Sequence, residues 1–360
     1  MRGPARLLGW KVSGLAEVAA AHPRPGWRRR GGRRVALGVV LAGWVPASAE
    51  ASARILSHCL ARLPGVEHHV VVVANNAEVL ERLGGRAPGG FPVVAGSNEE
   101  GEFSAYEEGR RYLSEQFGAD LSAWMVLNDR LPAYGTAYLD TLSPGLLALA
   151  GTTALAAGHF DSRGRPLQFG QYRVPCWLRS NWLLLSGALA APLGSLCPLK
   201  AADFDGLVPP CPPEVGPGGE WLGVPGGEVL GPWLTRPGGW EKAEALSRES
   251  WPRLRFKALA IMNEWALSAR LGEAGAALVP WRQARALSQL EPGHHFTGEV
   301  LALYREQPAF GLGLDMSPTG RAQLAMAVLA HRAGAWRAAE AFAGAAARSA
   351  RGWLEQAGPA

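Results

Sequence analysis

The chain has 360 residues, a formal net charge of +5 and 48% hydrophobic residues, enough for a large buried core and for two domains. The charge is local: residues 1–34 hold nine Lys/Arg and one Glu, a net of +8, so the remainder carries 5 − 8 = −3. That excludes a basic nucleic-acid groove in the folded body, and no run of 18 apolar residues suggests a membrane span.

Residues 1–32 read as a basic arm, with a short helix over 7–21 and a solvated Pro/Arg/Gly link after it. Such an arm permits peripheral contact with anionic lipid. The arginines of 28–34, the apolar run after them and Pro46-Ala47-Ser48-Ala49 imitate a secretory signal. A strand over 35–41 followed by a helix over 47–63 is the preferred reading, because a second strand follows and completes a βαβ unit. The helix is expected to present Ile55, Cys59 and Leu63 on one face and to end at Pro64-Gly65.

The second strand, 69–74, is rich in valine and reads as buried on both faces. Asn75 and Asn76 follow at its carboxyl end. Residues 78–83 read as a short helix and 84–92 as a connecting loop. A third strand covers 93–95, and Gly96-Ser97-Asn98 is turn chemistry. The spacing of Phe103, Tyr106, Arg110, Leu113 and Phe117 then predicts a helix closed at Gly118. The acidic run Glu99, Glu100, Glu102, Glu107 and Glu108 reads as its polar face, with Arg110 and Arg111 at pairing distance. Residues 124–127 are a buried strand, and Asn128-Asp129 lies just past it, where α/β proteins place ligand chemistry.

Beyond Asp129, 132–135 reads as loop and 139–149 as helical with a restart at Ser143-Pro144. Strands over 152–157 and 168–173 flank a turn at 159–165, which would hold His159 and Asp161. Residues 174–185 are apolar, and 187–193 is helix-like. Residues 206–240 are dense in Gly and Pro and contain Trp221, Trp233 and Trp240, aromatic faces that suit sugar rings but also anchor loops. A helix covers 254–271, and 317–352 reads as an Ala-rich helical hairpin. His294-His295 reads as solvated loop. Cys59, Cys176, Cys197 and Cys211 match no metal spacing, and Cys59 and Cys176 read as reduced core residues, which suits a cytoplasmic setting. There is no GxGxxG after the first strand, nor a P-loop, HExxH or GxSxG motif.

Asn98, Gly101, Phe103 and Gly109, then a helix, a strand and Asn128-Asp129, together resemble the nucleotide-binding half of GT-A glycosyltransferases. The likeness is to the inverting family two and its rhamnosyltransferase-like members, and it spans about residues 33–205. Residues 179–186 resemble the strand before that family's acceptor site. The resemblance implies an α/β fold: a mostly parallel, Rossmann-like sheet flanked by helices, with residues 241–360 an appended helical region.

It also implies an enzyme that moves a sugar from a nucleotide-sugar donor to a sugar or lipid-linked acceptor hydroxyl, with inversion, in cell-surface polysaccharide synthesis. Asn75, Gly96, Ser97, Asn98, Asn128, Asp129 and Arg130 would hold the donor. Asp129 would hold Mg²⁺ or Mn²⁺, and Asp203 or Asp205 would be the general base. The chain departs from the pattern in three places. Leu41-Ala42-Gly43-Trp44 replaces the family's Pro-x-Tyr/Phe-Asn, Asn75 stands where an acid is usual, and Arg130-Leu131 removes the second acid of Asp-x-Asp. Those departures open an alternative, a non-catalytic binding or scaffold protein on the same fold.

Overall fold

The structure is a computed structural model, and it describes residues 35–117, 121–134, 136–161, 166–237, 242–281, 283–284 and 295–306. The basic arm, Trp240, His294 and the helical hairpin expected at 317–352 lie outside the described residues.

Strand β1 (Val35–Gly43) is the centre of the sheet, which settles its reading against that of a signal segment. Its alternate residues pack on opposite faces, Leu37, Val39 and Leu41 in one core and Val40 and Ala42 in the other. A strand buried on both sides needs apolar residues at every position, and this run has them. Helix α1 (Pro46–Leu60) starts on a proline at its first position and leads to β2 (Val66–Ala74), parallel to β1. The buried face of α1 is Ala49, Ser52, Ala53, Leu56 and Leu60, one position round from the expected stripe. Ile55, Cys59 and Leu63 lie at its margin, partly buried.

Asn76 caps α2 (Ala77–Leu83), and Gly84 ends it in the left-handed conformation. The loop expected next contains a two-residue strand, β3 (Arg86–Ala87), antiparallel to β4 (Phe91–Ala95). Helix α3 (Glu102–Phe117) then packs across β1 and β2. Gly109 makes that contact possible, since a Cβ there would lie 2.4 Å from Cγ1 of Val40.

Strand β5 (Ala123–Asn128) returns to the other side of β1, parallel to it. Residues expected as loop form a short helix, α4 (Leu131–Tyr134). A 3₁₀ turn and α5 (Pro144–Thr152), capped by Ser143, lead to β6 (Leu155–Asp161). The strand runs through His159 and Asp161, so the turn expected there begins later. A hairpin, β7 (Leu167–Phe169) and β8 (Tyr172–Val174), precedes β9 (Trp177–Ser186), which is antiparallel to both β5 and β6. Short helices α6 (Ala190–Leu193) and α7 (Ala201–Asp205) follow.

The Gly/Pro-rich stretch is not all loop. It carries α8 (Gly227–Thr235), and Trp221 is buried edge-on against Trp251 with ring centroids 5.1 Å apart. Helix α9 (Trp251–Glu273) packs on β8 and β9. Strand β10 (Ala277–Pro280), unread in the sequence, joins β6 in parallel, and α10 (His295–Glu306) packs on β10. The eight-stranded sheet has the order β10-β6-β9-β5-β1-β2-β4-β3, mostly parallel and flanked by helices, as the fold class anticipated. No described helix is long and apolar enough to cross a membrane.

Candidate functional site

The chain leaves β1 in one direction for β2 and β4, then crosses to β5 on the other side of β1. Between β1 and β5 the connections diverge, and the carboxyl ends there leave a crevice in which α/β folds bind ligands. A cavity of about 650 Å³ opens at that point.

Asp129 stands at its floor, just past β5. Its Oδ2 accepts N–H groups from Trp44 at 2.6 Å and Val45 at 2.5 Å, at the end of β1. Its carbonyl accepts from Ser52 Oγ of α1. Burial pushes the Asp129 carboxyl above its ordinary range, and the two N–H donors pull back against that shift. The residue is a tie between the two switch-point strands as well as a wall of the cavity.

Asn75, Asn128 and Arg130 line the same cavity as Asp129. Asn75 is 3% exposed. Its Nδ2 donates to Gly101 O, while its Oδ1 has no hydrogen-bond partner. A buried acceptor left unpaired costs about 1–3 kcal/mol, and this one is packed against Gly96 rather than open to the cavity. Asn128 Oδ1 accepts from the Arg130 N–H at 3.2 Å.

The other expected residues fall elsewhere. Gly96, Ser97 and Asn98 do not line the cavity. A Cβ on Gly96 would sit 2.6 Å from Asn75 Oδ1, so the packing of Asn75 itself requires glycine there. Ser97 N–H donates to the Glu108 carboxylate at 3.2 Å. Asn98 has φ of 60°, a left-handed conformation that asparagine tolerates better than most residues. Asp203 and Asp205, the expected base, are also outside the cavity lining. Asp203 Oδ2 accepts the Lys200 N–H at the start of α7, and Asp205 pairs with Arg255 on an exposed face.

The cavity's own chemistry comes from residues assigned other roles or none in the sequence. Arg253, Phe256, Lys257, Ala260, Ile261 and Glu264 line it from α9, at the spacing of one helical face. Glu264 Oε1 accepts from Ser180 N and Oγ of β9 at 2.7 and 2.6 Å. Burial pushes its carboxyl up, and Lys257 and the Ser180 donors act in the opposite direction. Asp161 pairs with Arg179 at 2.6 Å across β6 and β9, and both line the cavity. Trp177, Trp233 and Trp265 line it too, and at its rim Trp44 and Phe256 lie 6.0 Å apart. Trp221 instead anchors the Gly/Pro stretch.

Part of the acidic run at and before the start of α3 is turned inward, while Glu99 is exposed. Glu100 is 4% exposed, accepts from Ala201 N and pairs with Lys200. Glu102 lines the cavity and reaches Ser180 Oγ at 2.7 Å. Glu107 accepts from Leu196 N at 2.7 Å and pairs with Arg110. Burial would raise Glu107, but these donors hold it below its ordinary value. The sequence did carry a signal for Glu264. A carboxylate, two cations and apolar residues share one stripe of a long helix, and a purely structural stripe would be apolar throughout.

Fold and site define an α/β protein with a charged, aromatic-walled cavity at the switch point of its sheet. No family model and no curated protein matches the chain. Among solved structures, one match is the CMP:2-keto-3-deoxy-manno-octonic acid synthetase complexed with CTP. It is 9% identical, with a TM-score of 0.28, over 46% of this chain and 80% of that one. A likeness of that size says nothing of activity.

Proposed function

We propose that the protein is a nucleotide-binding transferase that moves a sugar from a nucleotide-sugar donor to a sugar or lipid-linked acceptor hydroxyl. One observation carries this reading. A partly buried carboxylate, Glu264, lines a single cavity together with Arg130, Lys242 and Lys257, and with Arg179 and Arg253, which also pair with Asp161 and Glu244. Cations suit a diphosphate leaving group. A carboxyl raised by burial suits a general base near neutral pH.

The acceptor hydroxyl gives its proton to Glu264 as its oxygen attacks the anomeric carbon. The carbon–oxygen bond to the diphosphate breaks on the opposite side, giving inversion, and the cations stabilise the leaving charge. Asn75 borders the donor, and Trp177 and Trp233 offer faces to the sugar. Glu264 takes the base role that the family resemblance put on Asp203 or Asp205.

The donor set does not fit the divalent cation expected on Asp129. Its Oδ2 is occupied by two N–H groups, and Arg130 follows it with a positive charge. The described residues hold no group of three or more His, Cys, Asp or Glu able to hold a metal.

Calorimetry with nucleoside diphosphates and their sugar conjugates tests the reading. Binding of at least one is expected, and no affinity for any would overturn it. The commitment of Asp129 to the backbone favours a second reading, a non-catalytic binder, which donor turnover by the purified protein would exclude.

A further inference from the structure

One serine hydroxyl stands between two carboxylates. Ser180 Oγ lies 2.7 Å from Oε1 of Glu102 and 2.6 Å from Oε1 of Glu264. The three residues come from the start of α3, from β9 and from the middle of α9, and all three line the cavity. A serine hydroxyl has a single hydrogen. With both glutamates ionised, one of these short contacts would set lone pair against lone pair. Both contacts are satisfied only when one carboxyl brings a hydrogen of its own.

We propose that Glu102, Ser180 and Glu264 hold one proton in common, so that the pair of carboxyls carries a single negative charge at neutral pH. In one arrangement Glu102 O–H donates to Ser180 Oγ, and Ser180 O–H donates to Glu264. Moving the first proton to Ser180 and the second to Glu264 shifts the negative charge to Glu102 with no net gain or loss. Glu102 and Ser180 are therefore positioning residues. They aim the Glu264 carboxylate and remove the repulsion that a second charge would add.

The surroundings agree with one charge rather than two. Tyr106 of α3 donates its hydroxyl to Ser180 O at 2.7 Å, and burial holds that phenol neutral. Lys257 faces Glu264 from its own helix, and Glu102 opposes it from α3. Arg179 faces it from β9 but is paired with Asp161. Asp129 adds negative charge toward Glu102 from beyond β5.

The inference deepens the base role given to Glu264 but is tested without it. Infrared spectra of the resting protein in deuterated buffer at neutral pH should show the carbonyl band of a protonated carboxyl. Glu102→Gln should lose that band, since the amide supplies the missing hydrogen and Glu264 ionises. Glu264→Gln should lose it by the same argument. No band in the unaltered protein, or a band unchanged in both folded variants, overturns the shared proton.

If sugar transfer is found, Glu264→Gln should lower turnover about 10²–10⁴-fold. Glu102→Gln should leave the acid limb of the pH profile in place, since Glu102 is uncharged there, and should remove the alkaline fall that follows loss of the shared proton. An equal loss of turnover in both variants, with the alkaline fall unchanged in Glu102→Gln, overturns the positioning role. Absence of transfer would count against the functional reading and leave the infrared result standing.

Discussion

Asp129 Oδ2 accepts the backbone N–H of Trp44 at 2.6 Å, joining the ends of two adjacent parallel strands. The same oxygen holds Val45 N–H. Removing it should therefore loosen the loop before α1. Asp129→Ala is expected to cost about 1–3 kcal/mol in urea unfolding, since two donors lose a charged acceptor and retain only partial access to water. Asp129→Asn keeps an acceptor in place and should cost about half as much. Unchanged stability in Asp129→Ala together with lost nucleotide binding would assign the carboxylate to the ligand instead.

The raised Glu264 carboxyl makes stability depend on pH. In the folded state it keeps its proton above 4.5, its ordinary value, while the unfolded chain has released it. The folded state then binds more protons, so this residue's contribution is complete below that value and declines as pH rises through the folded pKa. Thermal unfolding from pH 4 upward should show a decline that Glu264→Gln reduces. Equal slopes in the two proteins would refute the shift.

Gly109→Ala should destabilise despite the better helix propensity of alanine, worth about 1 kcal/mol. The new methyl would meet Val40 Cγ1 at 2.4 Å and Cγ2 at 3.0 Å, in a strand buried on both faces. Displacing α3 to relieve the clash should cost about 1–3 kcal/mol by denaturant titration. A stabilised variant would mean that α3 packs less closely on the sheet.

Nucleoside diphosphate binding should survive chelation. With no fitting donor set at Asp129, EDTA is expected to change the calorimetric Kd less than twofold. Arg130→Ala should weaken it about tenfold or more, the effect of losing a hydrogen bond to a charged group. Loss of binding in EDTA, restored by Mg²⁺, would return a cation to the site.

Much of the sheet was readable because its strands are signalled locally. Residues 70–73 are four consecutive valines, and the run before Asn128 is apolar throughout, as strands buried on both faces require. Asn75 and Asp129 were found because each follows such a strand. β10 was missed because it is only four residues long and follows closely on a long helix. The burial of Glu100 and the long-range contacts of Glu102 and Glu107 were missed because an acidic run on a helix looks solvated until its partners are known. Those partners are Ala201 N, Ser180 and Leu196 N, all far along the chain.

The amino-acid order by itself determined the strands that meet at the switch point and the residues standing at their ends, because hydrophobic period and turn chemistry act over a few residues. The folded molecule alone decided which polar groups share a cavity. Glu264 meets Ser180 across 84 residues and Ser180 meets Glu102 across 78. No local pattern encodes such a meeting, because it depends on how α9 lies against β9 and α3.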